Sequence, residues 1–242
     1  MLDTPQELVM IALAGSLIPS VFWLLFWSRR DRFCPEPRTH LFSAFIFGGL
    51  AALFTLPTQS LVVTLFGTST FLAMILFVSV EEYAKYIGAW FSSIQGNPYY
   101  NERIDPIIYL TTTALGFAAL ENILYFLQYL NNFNLDIATI EGGKRIIGAT
   151  ILHMVATGVV GVCLSLVFFK SKIIKFFGLI IGLLLAVIIH LGFNFLVTGE
   201  SAHTVILAFA ATWFLFMFIV IAIELLRAPS CPPEIDWNNY EF

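Results

Sequence analysis

Charge is scarce in this sequence. Of its 242 residues, 12 are Lys or Arg and 16 are Asp or Glu, 12% in all. A soluble domain carries about twice that share. No basic patch interleaved with aromatics is present, so nothing points to nucleic acid. The N-terminal stretch MLDTPQEL has Asp3 and Glu7 but no Lys or Arg. It lacks the positive region of a cleavable signal, and the first apolar run is expected to be a retained span. Cysteine is sparse too. Cys34, Cys163 and Cys231 form no CxxC pair, and an odd, scattered set is expected to be apolar fillers or reduced thiols.

Apolar length is what the chain has in excess. It is 59% hydrophobic, with a mean hydropathy of +0.87. Its apolar runs exceed the roughly 18 residues that a helix needs to cross a bilayer. The expected fold is all-α, a polytopic bundle of about seven spans at 6–27, 40–66, 69–94, 106–130, 146–169, 173–197 and 203–227. Residues 1–227 would form one transmembrane domain. Residues 228–242, APSCPPEIDWNNYEF after Arg227, would be a Pro-rich acidic tail on the cytoplasmic side. Pro57 should kink or break the second span unless neighbours satisfy the freed carbonyl. Trp23, Trp27 and Trp90 read as interfacial anchors, and the Gly178/Gly182 pair as a helix-packing motif.

Basic residues orient the spans. Arg29, Arg30, Arg32, Arg38, Arg103, Lys170, Lys172, Lys175 and Arg227 fall on one side of the expected bundle, and Lys144 and Arg145 on the other. The positive-inside rule then gives N-out and C-in. The twelfth basic residue, Lys85, lies within a span.

Lys85 is not alone there. Glu81, Glu82 and Lys85 fall in span three, Glu121 and Asn122 in span four, His153 in span five, and His190 and Asn194 in span six. At 1.5 Å per residue, Glu81 lies about 18 Å from the outer end, Glu121 about 14 Å, and both histidines about 10 Å. Each residue alone has a plain structural explanation: an interhelical hydrogen bond, a structural ion pair, a protonated acid. Together they occupy one slab, and ionisable groups in a bilayer are costly enough to need a reason. Glu81 and Lys85 are four apart, in the orientation that favours an ion pair; Glu82 and Lys85 are three apart. That spacing brings Lys85 nearer Glu81 and leaves Glu82 free. His190 and Asn194 share a face, as do Phe117 and Glu121.

This set suits hydrolysis. A carboxylate away from bulk water can act as general base near neutral pH, and His or Asn can donate to an oxyanion. Ser79 has no His near it in sequence, which disfavours a serine mechanism. Two His with a carboxylate also make a common catalytic zinc set, here His153, His190 and Glu121. No HExxH occurs, and no two of these ligands share helical spacing, so metal-free chemistry is preferred. The cofactor expectation is therefore none, or zinc.

The same residues carry a resemblance. The chain resembles the PrsW-type intramembrane proteases, relatives of the CAAX-prenyl-protease and bacteriocin-processing superfamily. "CPEPRTHLFSAFIFGG" is similar to that family's first loop and second-span entry. "EEYAK" fits its EExxK motif, and "RIDPIIYLTTTALGFAALENILYF" fits its Asp, Tyr, GFxxxEN and Tyr signature. Arg145 with His153, and His190, fit its later spans. Asp105-Pro106 stands where the family often has DG, Tyr109-Leu110 where it has YG, and Asn194 where an Asp often follows the late His. The resemblance implies cleavage of a membrane-spanning protein in the cell membrane, such as site-1 cleavage of an anti-sigma factor in a stress response. It implies Glu81, Glu82 and Glu121 as catalytic carboxylates with His153 and His190 as partners, supported by Lys85, Asn122 and Asn194. Which of Glu81 and Glu82 is the base stays open. Two other classes fit buried Glu, Lys and His: a non-catalytic scaffold of the same fold that holds a partner helix, and a proton-coupled transporter. Intact carboxylates and histidines disfavour the first, and the lack of an evident inverted repeat the second. Oligomeric state is not readable.

Overall fold

The computed structural model describes residues 5–31, 34–67, 70–131, 135–198 and 201–227, with side chains left undescribed at 5–8, 11, 129–131 and 135–147. Among the described residues there are seven α-helices and no strand. They are α1 (Pro5–Arg30), α2 (Arg38–Phe66), α3 (Phe71–Ala89), α4 (Asp105–Asn131), α5 (Leu135–Leu166), α6 (Lys172–Val197) and α7 (Ala202–Leu226). A π-helical turn at Trp90–Ile94 extends α3. Among the described residues, six helices are long and apolar enough to cross a membrane. α3 is left out of that six by Glu81, Glu82 and Lys85, and all three are buried in the bundle.

The apolar surface lies on the outside, as a bilayer requires. Phe54, Phe214 and Leu225 are each more than 70% exposed. α4 and α5 form the centre: about four-fifths of their spanning windows are buried, against about a third or less for α1, α2 and α6. Helices in lipid gain little from burying Leu against Leu, so close approach depends on small residues. α2 and α4 meet at two of them. A Cβ on Gly48 would fall on the Thr113 carbonyl oxygen, and one on Gly116 on the Phe45 carbonyl oxygen. The expected glycine packing in α6 is present as well. A Cβ on Gly182 would stand 3.0 Å from Val160 Cα, and one on Gly178 2.7 Å from the Val167 side chain.

Several expectations change. α5 starts at Leu135, well before 146. Asp136, Glu141, Lys144 and Arg145 lower the hydropathy of that first stretch, so a hydropathy reading finds only the spanning part. α2 runs on through Pro57. Trp27 is no interfacial anchor: it is wholly buried, and its Nε1 donates to Met154 Sδ at 2.8 Å. Cys34 is disulfide-bonded, because spacing along a chain does not report which loops meet. Cys163 is free. The expected tail at 228–242 lies outside the described residues.

The loops at the basic end are tied together by a polar cluster. Tyr109 donates to Glu36 Oε2, and Asn97 Nδ2 donates to Tyr109 Oη at 2.9 Å. Asp105 Oδ2 accepts the backbone N–H of Asn101 and Glu102 at 2.6 and 2.7 Å. The Asp and Tyr of the sequence signature therefore hold the α4 entry rather than the polar slab. Glu36 lies between α1 and α2. Burial pushes its carboxyl up to about 8, and that of neighbouring Asp31 up to about 6.

Two outcomes follow. Gly116→Ala should lower Tm in detergent markedly, with an overpacking cost of roughly 1–3 kcal/mol or more. Gly192→Ala, where nothing lies within 4 Å, should leave Tm unchanged; equal effects would contradict the close α2–α4 contact. The second outcome concerns pH. The native Glu36 keeps a proton that the unfolded chain releases near 4.5. Stability present below that value should be lost as pH rises through about 8. Glu36→Gln should flatten the fall in Tm between those pH values, and an unchanged slope would contradict this assignment.

Candidate active site

Helix α3 turns its charges inward. Glu81, Glu82 and Lys85 are 6%, 1% and 0% exposed, so each must find a partner within the protein. Lys85 Nζ lies 2.6 Å from Glu82 Oε1 and 2.9 Å from His153 Nδ1, and it stands 4.7 Å from the centre of the Phe117 ring. Glu82 is fully engaged. Its Oε1 also accepts from His190 Nδ1 at 2.7 Å, and its Oε2 from Thr157 Oγ1 at 2.9 Å. One carboxylate thus joins α3 to α5 and α6.

This reverses the pairing that helical spacing suggests. Lys85 pairs with Glu82, three residues away, and Glu81 faces the cavity. The choice is tertiary. His153, Thr157 and His190 converge on the Glu82 side of α3, whereas Glu81 faces α2, where Gln59 Nε2 donates to its Oε1 at 2.8 Å.

Both imidazoles are fixed. His153 is held at Nδ1 by Lys85 and at Nε2 by Glu121 Oε2, at 2.7 Å. With Glu82 accepting at Nδ1, the His190 proton sits there, and the lone pair of Nε2 points toward Glu81 Oε2, 3.7 Å away. The two rings meet edge to face, their centroids 4.9 Å apart. Phe117 lies against His153, with centroids 5.2 Å apart.

These groups border a cavity of about 470 Å3. Glu81, Glu121, His153, His190, Asn194 and Gln59 supply its polar wall, and Phe77, Leu152, Phe193 and Phe209 are among its apolar lining. Five of the expected residues, Glu81, Glu121, His153, His190 and Asn194, therefore line one space. Glu82 and Lys85 stand behind it as supports. Asn122 stands apart: buried, it donates to Thr150 Oγ1 at 3.1 Å and links α4 to α5. Ser79 donates to the Ile75 carbonyl of its own helix at 2.7 Å. Sequence reading missed Gln59 and Thr157. Thr157 lies four residues after His153, on the same helical face, which was an available signal. Gln59 had none, being one of three polar residues, Thr58, Gln59 and Ser60, that follow the interruption at Pro57.

A metal fits the donors. One ligand atom from each of Glu81, His153 and His190 lies within 4.8 Å of the other two. A carboxylate with two imidazoles is a common catalytic zinc set. His190 also shows the support typical of a metal-ligating histidine, a carboxylate on its other nitrogen. The ligands come from three helices, so the lack of helical spacing in the sequence does not count against them. This grouping contains Glu81, where sequence reading named Glu121 beside the two histidines.

Fold and site together define the class: a multi-pass membrane protein with a hydrolytic type of centre buried among its spans. Comparison with known proteins specifies it. The model of the PrsW family intramembrane metalloprotease matches residues 36–223. Protease PrsW of Clostridioides difficile (strain 630) is 26% identical over 193 residues, covering 76% of this chain and 78% of that protein. Protease PrsW of Geobacillus kaustophilus (strain HTA426) is 28% identical over 121 residues, covering 48% of this chain and 52% of that protein. No solved structure gives a significant match. The chain belongs to the PrsW family of intramembrane proteases.

Proposed function

We propose that the chain is a metal-dependent endopeptidase that cuts a single-span membrane protein near the extracytoplasmic end of its span. The observation that carries this reading is the convergence of Glu81, His153 and His190 on one cavity, within 4.8 Å of one another. Those three residues would hold a zinc ion. When bound, it would supply Lewis-acid polarisation of the peptide carbonyl and activation of water at neutral pH.

The chain's own residues do the rest. Ligand nitrogens must be unprotonated; the His153 Nε2 proton would leave by way of Glu121 Oε2, 2.7 Å away, and pass on to solvent, which returns Glu121 to its ionised form. With Glu81 as a ligand, the ionised Glu121 would take a proton from water as general base and give it to the leaving amine. Glu82 holds the His190 ring by Nδ1, and Lys85 holds the His153 ring by Nδ1, so both rings are fixed in place. Asn194 and Gln59 offer amide N–H groups at the cavity wall, suited to a developing oxyanion. The apolar part of the lining excludes bulk water and receives the side chains of the substrate span.

The basic-residue bias supports N-out and C-in in the cell membrane, with the cavity in the outer half of the bilayer. That position suits site-1 cleavage, and the resemblance to the PrsW-type proteases supports an anti-sigma factor as the substrate class.

Purified protein should carry about one zinc per chain. Chelation should abolish cleavage of a single-span substrate. Glu81→Gln and His190→Ala should lose the metal and slow turnover by about 100-fold or more. Full activity after thorough chelation would overturn the metal reading and favour Glu81, the carboxylate that faces the cavity, as base.

A further inference from the structure

The opposite end of the bundle has a second concavity, between α1 and α2, of about 750 Å3. Val21 and Leu25 of α1 and Phe42 and Phe45 of α2 form much of its apolar wall, and Arg29 and Arg38 line it as well. The wall is open to lipid: Phe42 is 67% exposed and Leu25 50%.

The arginines at the ends of α1, α2 and α7 that border this corner divide in two. Arg30 and Arg227 both pair with Glu224, at 3.1 and 2.8 Å. Among the described residues, neither Arg29 nor Arg38 has an ion-pair or hydrogen-bond partner. These two unpaired guanidinium groups are the ones that line the groove. α2 begins beside them with Pro37 at its N-cap and no side-chain cap. The first N–H groups bonded back are those of His40 and Leu41, to the Pro37 carbonyl. The N–H groups of Arg38 and Thr39 are left at the helix start, where phosphate oxygens are favoured. Two carboxyls also line the groove. Asp31 is committed to the backbone N–H of Glu36 at 2.8 Å and faces the charge of Arg227. Glu36 accepts from Tyr109, and burial keeps it protonated at neutral pH.

We propose that this groove binds one anionic glycerophospholipid, its phosphate held by Arg29, Arg38 and the start of α2 and an acyl chain lying along Val21, Leu25, Phe42 and Phe45. Guanidinium groups and helix-start N–H groups are donors that suit a phosphate diester. The apolar wall asks for a chain attached to it, which free phosphate lacks. Two uncompensated positive charges favour an anionic headgroup over one that carries its own cation.

Native mass spectrometry of the full-length protein in neutral detergent tests this. With added phosphatidylglycerol, the protein should retain one lipid, preferred roughly tenfold or more over phosphatidylcholine. Arg29→Gln/Arg38→Gln should reduce retention to the phosphatidylcholine level. Leu25→Trp, which fills the groove with both arginines in place, should do the same. Lys170→Gln/Lys172→Gln, which removes exposed charge from the same end, should retain the lipid as wild type does, and millimolar inorganic phosphate should not displace it. Equal retention of both lipids, unchanged retention by the arginine or Leu25 variant, equal loss from the lysine variant, or displacement by inorganic phosphate would each overturn the proposal.

Discussion

Lys85 is a full positive charge with no exposed surface, inside a bundle built for lipid. An ammonium in such a place is tolerated when its partners are fixed and complete. Glu82 at 2.6 Å, His153 Nδ1 at 2.9 Å and the Phe117 face at 4.7 Å supply them from α3, α5 and α4. The rest of the site follows. Once Glu82 is bound to Lys85 and Thr157, its remaining acceptor capacity at Oε1 holds His190 by Nδ1. That leaves His190 Nε2, His153 and Glu81 turned toward the cavity. The ion pair thus sets both the approach of the helices and the direction of the groups that line the cavity.

The scaffold around it distributes its close contacts accordingly. Gly48 and Gly116 let the α2 and α4 backbones touch, while Gly178 and Gly182 seat α6 on α5. α2 carries Gln59 near one end and α6 carries His190, so both packings bear on the cavity. At the basic end, Glu36, Tyr109 and Asn97 tie the first loop to α4 without any part in the cavity.

Much of this was legible in the sequence. Scarce charge and long apolar runs announced the bundle, and the slab of Glu81, Glu82, Glu121, His153 and His190 announced which polar groups converge at the cavity. Family membership was readable from EExxK and GFxxxEN together. What escaped was decided across helices. Intrahelical spacing favoured Glu81 for Lys85, but three residues on α5 and α6 drew Lys85 and Glu82 together. Trp27 looked interfacial by position, yet Met154 on another helix gives its indole a buried partner. Gln59 reaches Glu81 because α2 runs on past Pro57, where a break was as readable as continuity.

The most direct test of the central ion pair is a double-mutant cycle on stability in detergent with Glu82→Gln and Lys85→Met. Each single variant strands a buried charge and should lose roughly 3–5 kcal/mol. The double variant removes both charges and should lose no more than either single one. Losses that add would mean that Glu82 and Lys85 act independently, and would contradict the account.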